Sequence, residues 1–161
     1  MNPYASHLES RDPFAVIAET PQQLAQMVRA ADQAALDRSP APGKWSVREI
    51  LTHLADTEVV FAFRLRQSVA EAHHTVQPFD QDRWAAHYES YDAFTALETF
   101  TAVRRWNILF LSALPPEVFA KTMTHPERGT MTLQVVVETM GGHDRNHAKQ
   151  IAGILGKAAT A

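Results

Sequence analysis

Four stretches of this chain repeat apolar residues at the spacing of one helix face, and proline- and glycine-rich breakers separate them. Asp12-Pro13 opens a short turn through Glu19, with proline at the first helical position. Thr20-Pro21-Gln22-Gln23 then combines a Thr cap, a proline just inside and a Gln three residues on, which predicts a fresh start and a helix over 21–38 carrying Leu24, Met27, Val28 and Ala31. Ser39-Pro40-Ala41-Pro42-Gly43 breaks it. Ser46 and Glu49 form a capping box for a second helix, with Trp45 placed to staple against Ile50, and Val47, Ile50, Leu54, Phe61 and Leu65 carry its apolar face to residue 70. Residues 73–88 are polar, contain Pro78 and read as a long loop with one helical turn. Phe94, Leu97, Phe100, Val103, Leu111 and Leu114 mark a third helix over 91–114, ended by Pro115-Pro116. Thr124 to Gly129 is a turn-rich connection, and Thr130 or Thr132 caps a last helix to Leu155. There is no strong strand alternation. Four long amphipathic helices predict an all-α four-helix bundle, with residues 1–161 as a single domain.

The totals narrow the function. A net charge of −3 offers no basic field for nucleic acid. With no cysteine, disulfides, thiolate metal sites and cysteine nucleophiles are excluded, so a metal would need His, Asp or Glu. No apolar run approaches the roughly 20 residues that span a bilayer, and the first residues lack a signal-peptide core. The cytoplasm is the expected compartment, with no membrane partner. Eight histidines are the unusual total.

Their positions matter most in the last helix. At roughly 100° per residue, Val136, Met140, His143, His147, Ile151 and Ile154 fall within about 80° of one another. Two histidines at i, i+4 therefore sit in the middle of the core-facing stripe, where imidazole is costly unless its nitrogens are satisfied. Two rings one turn apart can reach one ion; hydrogen-bonded core histidines are the alternative. His53 lies at the edge of the second helix's stripe. It reads either as a boundary residue or as a third imidazole completing a face that leaves coordination positions open. Asp56 and Gln150, each three residues after a candidate ligand, read either as surface residues or as side chains that orient His53 and His147. Gly141-Gly142 inside a helix calls for close approach of another element or a kink. His125 lies in a loop, and His7, His73, His74 and His87 read as surface. Trp84 and Tyr88 read as core packing, with a pocket wall as the other use.

Pro42 to Asp56, then His125-Pro126-Glu127-Arg128-Gly129, then His143-Asp144-Arg145-Asn146-His147-Ala148-Lys149-Gln150-Ile151 resemble, in order and spacing, the DinB/YfiT-like superfamily. The resemblance covers the chain from Thr20 to Leu155 and implies a bundle of up-down-down-up topology. It implies three histidines holding a divalent metal, commonly nickel or zinc, with His53, His143 and His147 at the matching positions. It further implies a metal-dependent hydrolase, or a transferase or isomerase using a low-molecular-weight thiol such as mycothiol, bacillithiol or glutathione. A small-molecule substrate is then the expected partner, and a homodimer is allowed. A non-catalytic, metal-stabilised binding or stress-response module is the competing class, since no general base is evident beside the triad. No catalytic residue is assigned from the sequence.

Overall fold

The computed structural model describes residues 2–156. Four long helices form the bundle: α2 (Pro13–Arg29), α4 (Val47–Ala70), α6 (Ala93–Ser112) and α7 (Leu133–Ile154). Three short ones flank them: α1 (Ala5–Leu8), α3 (Gln33–Asp37) and α5 (Gln81–Ala85). Each long helix starts where a side chain satisfies its free amides. Asp12 accepts from Phe14 and Ala15, Asp92 from Phe94 and Thr95, and Thr132 from Val135. Ser46 and Glu49 complete the reciprocal capping box that the sequence predicts.

Helices α2 and α4 each pack against both α6 and α7. Glu58 of α4 meets Arg104 of α6, and Arg66 meets Asn107, so residue numbers rise together and the two helices are parallel. His53, early in α4, lies against His143 and His147, late in α7, so that pair is antiparallel. Pro13 lies under Gly141, and Thr20 neighbours Asp144, so α2 and α7 are parallel. The result is the expected up-down-down-up order. Parallel neighbours need a long connection, which residues 71–92 supply between α4 and α6.

The interior is layered. One apolar cluster gathers Leu24, Leu36, Val47, Leu51, Phe100 and Ile151; a second gathers Ile17, Leu65, Leu111, Met123, Leu133 and Met140. Between them, on every long helix, come buried polar residues: Thr20, then His53 and Glu58, then Arg104 and Asn107, then His143, Asp144 and His147.

Two local expectations fail for physical reasons. Helix α2 does not restart at Pro21 and does not reach residue 38; it runs unbroken from Pro13 to Arg29. Proline lacks the N–H that would bond the Ile17 carbonyl. Arg104 supplies that donor instead, its Nη1 reaching the Ile17 oxygen at 3.0 Å. Thr20 is no cap, since its hydroxyl donates back to Val16 within the helix. The connection before α7 also contains two strands, β1 (Thr122–His125) and β2 (Gly129–Thr132), paired antiparallel with Met123 opposite Met131. Thr-Met-Thr on both sides of the turn is a period-two pattern, with both methionines buried and Gly129 at φ +74°. Residues 74–76 add an edge to this hairpin through the Thr124–His74 and Val76–Thr124 backbone bonds.

Candidate metal centre

The capping box fixes where α4 begins, and His53 follows in its second turn facing the interior. His143 and His147 face it from consecutive turns of α7. All three are at least 95% buried. His143 Nε2 lies 3.0 Å from His53 Nε2 and 3.1 Å from His147 Nε2. The potential ligand atoms of the three all lie within 4.8 Å of one another.

This arrangement cannot satisfy itself. A neutral imidazole nitrogen carries either one proton or one lone pair, so His143 Nε2 cannot make good hydrogen bonds to both neighbours. Protonation offers no escape. Burial, reinforced by the His147 charge, pulls His53 down to about 3. Burial pulls His147 down to about 4 against the raising effect of Gln150. Burial and both partner rings hold His143 well below the usual histidine range. Three neutral rings presenting three nitrogens to one point fit a divalent cation that accepts all three lone pairs.

The surroundings hold the rings in place. Gln150 Oε1 lies 2.9 Å from His147 Nδ1, which puts the proton there and leaves Nε2 as a lone-pair donor. Asp56 does not play the matching part: its neighbour is the Tyr88 hydroxyl, and His53 Nδ1 is buried without a hydrogen-bond partner. Trp45 packs on the His53 ring at 4.9 Å, and Tyr4 meets the His143 ring edge-on at 5.0 Å. Tyr4 can come so close because α7 has Gly142 there; a Cβ would stand 2.3 Å from the Tyr4 carbonyl oxygen. Close approach thus explains the glycine pair, and α1 is docked against α7. Arg145 holds it by a bond to the His7 carbonyl and an ion pair with Glu9.

Sequence reasoning missed the support beneath the histidines. Arg104, 1% exposed, grips Glu58 with Nε and Nη2 and Asp144 with both terminal nitrogens, while Asn107 donates to Glu58. Burial opposes the guanidinium charge, but Asp144 and Glu58 override it and raise the Arg104 pKa. Burial raises Asp144, with Arg104 pulling the other way. The signal was present: Arg104 and Asn107 continue the Leu97, Phe100, Leu111 stripe at helical spacing.

Of the remaining histidines, His73 and His87 are exposed and His7 is half-buried. His74 is buried, contrary to the surface reading, and so is His125 of the loop, because residues 74–76 and the hairpin cover each other. Tyr88 is core, whereas Trp84 is exposed. Beside the histidines a groove of about 620 Å³ opens between Trp45, Ile50, Gln150 and Ile154, with Lys44 and Asp82 in its walls. A groove of about 680 Å³ lies between α2 and α6, and neither groove has a histidine in its walls.

Fold and site together define a class: four-helix bundles with a buried three-histidine cluster between antiparallel helices. The profile of the DinB superfamily matches residues 17–151, and the chain belongs to that family. A Bacillus mycoides protein named "putative metal-dependent hydrolase" is 27% identical over 144 residues, covering 86% of this chain and 80% of its own length. An Oceanobacillus iheyensis protein of the same name is 28% identical over 143 residues, covering 86% and 81%. The solved structure of YfiT from Bacillus subtilis, described as a probable metal-dependent hydrolase with an unusual four-helix bundle topology, superimposes with a TM-score of 0.79. It is 22% identical over 93% of each chain, a likeness of fold. Among the described residues no helix is long and apolar enough to cross a membrane.

Proposed function

We propose that this protein is a metal-dependent enzyme in which His53, His143 and His147 hold one nickel or zinc ion and small electrophilic substrates react with water or a low-molecular-weight thiol. The observation that carries the reading is the convergence of three buried Nε2 atoms that cannot satisfy one another. Bound there, a divalent cation would lower the pKa of water or a thiol and supply a nucleophile near neutral pH. The chain's own part is positional. Gln150 fixes the His147 tautomer, Trp45 and Tyr4 restrict solvent, and the groove beside Trp45 and Gln150 admits a small molecule. The names of the curated relatives support a metal-dependent hydrolase.

A metal-stabilised binding module is the second reading, favoured by the depth of the rings and by the aromatic cover over two of them. Elemental analysis of tag-free protein tests the metal, with one ion per chain expected. Titrating the cobalt-substituted protein with small thiols and following the visible spectrum separates the readings. A shift at neutral pH supports an open, reactive site. A spectrum unmoved by every thiol leaves hydrolysis or the binding module, which an esterase and amidase substrate panel divides.

A further inference from the structure

The outer face of α6 carries a pattern that the bundle itself does not use. Thr95, Thr99, Ala102, Trp106 and Leu109 are all exposed and follow one another by four, three, four and three residues. That alternation is the seam of a coiled coil, along which side chains meet a second helix about every 3.5 residues. The opposite side of α6, through Phe100, Arg104 and Leu111, already serves the core. Trp106 and Leu109 are 61% and 62% exposed, and on neighbouring α4 Val59 and Phe63 are 48% and 57% exposed. Four of the seven large apolar side chains exposed among the described residues thus share one face, more than scattered surface residues would give.

The face is arranged in advance for contact. The Arg66 guanidinium lies 4.1 Å from the Trp106 ring centre and 4.8 Å from that of Phe110, while its Nη1 donates to the Ala62 carbonyl and to Asn107. An aromatic ring held this way loses little freedom on binding. The Thr99 hydroxyl donates to the Thr95 carbonyl within the helix, so it needs no outside partner.

Charge selects the occupant. On the flank of the seam toward α2 stand Glu98 and Arg105, both exposed, and among the described residues neither is in an ion pair. Two turns, about 10 Å, separate them, too far for a bond to each other. Turning a second copy of α6 antiparallel about a two-fold axis keeps each flank on its own side, so this flank faces itself. With Thr95 across from the partner's Trp106 and Thr99 across from the partner's Ala102, each large ring meets a small side chain. Glu98 of each copy then faces the partner's Arg105. Sliding by one heptad in either direction opposes arginine to arginine or glutamate to glutamate. Like charges opposed in this way disfavour both slipped registers.

We propose that two copies of this chain associate through α6, antiparallel about a two-fold axis, with Glu98 of each copy paired to the partner's Arg105. Val59 and Phe63 of α4 close the other flank. The seam from Thr95 to Leu109 is about 21 Å long and α4 widens the face to about 20 Å, a footprint on the order of 400 Å² before side-chain relief is counted. That is the low end for specific association and implies a dimer that dissociates at micromolar concentration, not an obligate one.

Sedimentation of the full chain from about 1 to 500 μM should show a monomer–dimer equilibrium. Trp106→Asp should leave monomer alone. Glu98→Arg and Arg105→Glu each turn two symmetry-related attractions into repulsions and should weaken the dimer by about tenfold or more. An equimolar mixture of those two variants regains both pairs and should form a heterodimer at close to the parent affinity, a result that misfolding cannot produce. Parent protein that stays monomeric throughout overturns the proposal; if that monomer floats with phosphatidylcholine vesicles, the face belongs to a lipid surface. A dimer indifferent to Trp106→Asp lies on another face and overturns it equally. A dimer that Trp106→Asp breaks, yet whose charge variants associate like the parent or fail to associate when mixed, overturns the antiparallel pairing.

Discussion

Arg104 on α6 holds the carboxylate of Asp144, the residue that directly follows His143 on α7. The same guanidinium bonds Glu58 on α4 and the Ile17 carbonyl on α2, so one side chain touches all four long helices. It lies in the same polar layer as the histidines, and gripping Asp144 fixes the rotation of α7 that turns His143 toward His53. The helix register at the candidate metal centre is therefore set by a neighbouring ionic cluster as well as by apolar packing.

Replacing Arg104 by Leu should cost about 3–5 kcal/mol, the penalty for stranding buried charges. Glu58 and Asp144 would lose their countercharge, and the Ile17 carbonyl would have neither a guanidinium nor a residue-21 amide. Urea unfolding measures the loss, and metal content should fall with it. A variant as stable as the parent would show that the cluster does not hold the layer together.

His143→Ala should abolish stoichiometric metal binding, whereas His125→Ala should leave it intact. His143 Nε2 is the nitrogen both other rings approach, while His125 belongs to the hairpin. Elemental analysis of both variants decides; equal metal content would mean that the ligand set is different.

The glycines of α7 should respond unequally to alanine. Gly142→Ala places a methyl 2.3 Å from the Tyr4 carbonyl, a backbone atom that can yield only if the N-terminal segment moves. Undocking is expected, read as faster proteolysis near Arg11 and a loss of about 1–3 kcal/mol. Gly153→Ala meets nothing within 4 Å and should gain about 0.5–1 kcal/mol from helix propensity.

Metal-free protein should lose stability as the pH falls below the ordinary histidine value. Folding depresses His53 to about 3 and His147 to about 4, so the unfolded chain binds more protons between those values and 6.5. Stability then rises with pH across that window and is fully present above it. Denaturation midpoints of chelator-treated protein between pH 4 and 8 check the sign; a flat profile would mean that the rings stay hydrated.

The sequence by itself determined the four helices, because each has its own apolar period and most have a local cap. Ser46 with Glu49, Asp12 with Pro13 and Thr132 act within one turn, so their effect is written in adjacent residues. The stripe carrying His143 and His147 was legible for the same reason. Tertiary structure decided whatever depended on a distant partner. Pro21 was compatible with a helix start until Arg104, far along the chain, satisfied the carbonyl it left free. Gly142 was ambiguous until Tyr4 filled the notch beside it. Asp56 and Gln150 had the same three-residue spacing from a histidine, yet only Gln150 reaches its ring, because Asp56 is turned toward Tyr88. The rings of His53, His143 and His147 meet because α4 and α7 run antiparallel at a fixed register. That register comes from the ion cluster and the packing of all four helices, which no local stretch of sequence contains.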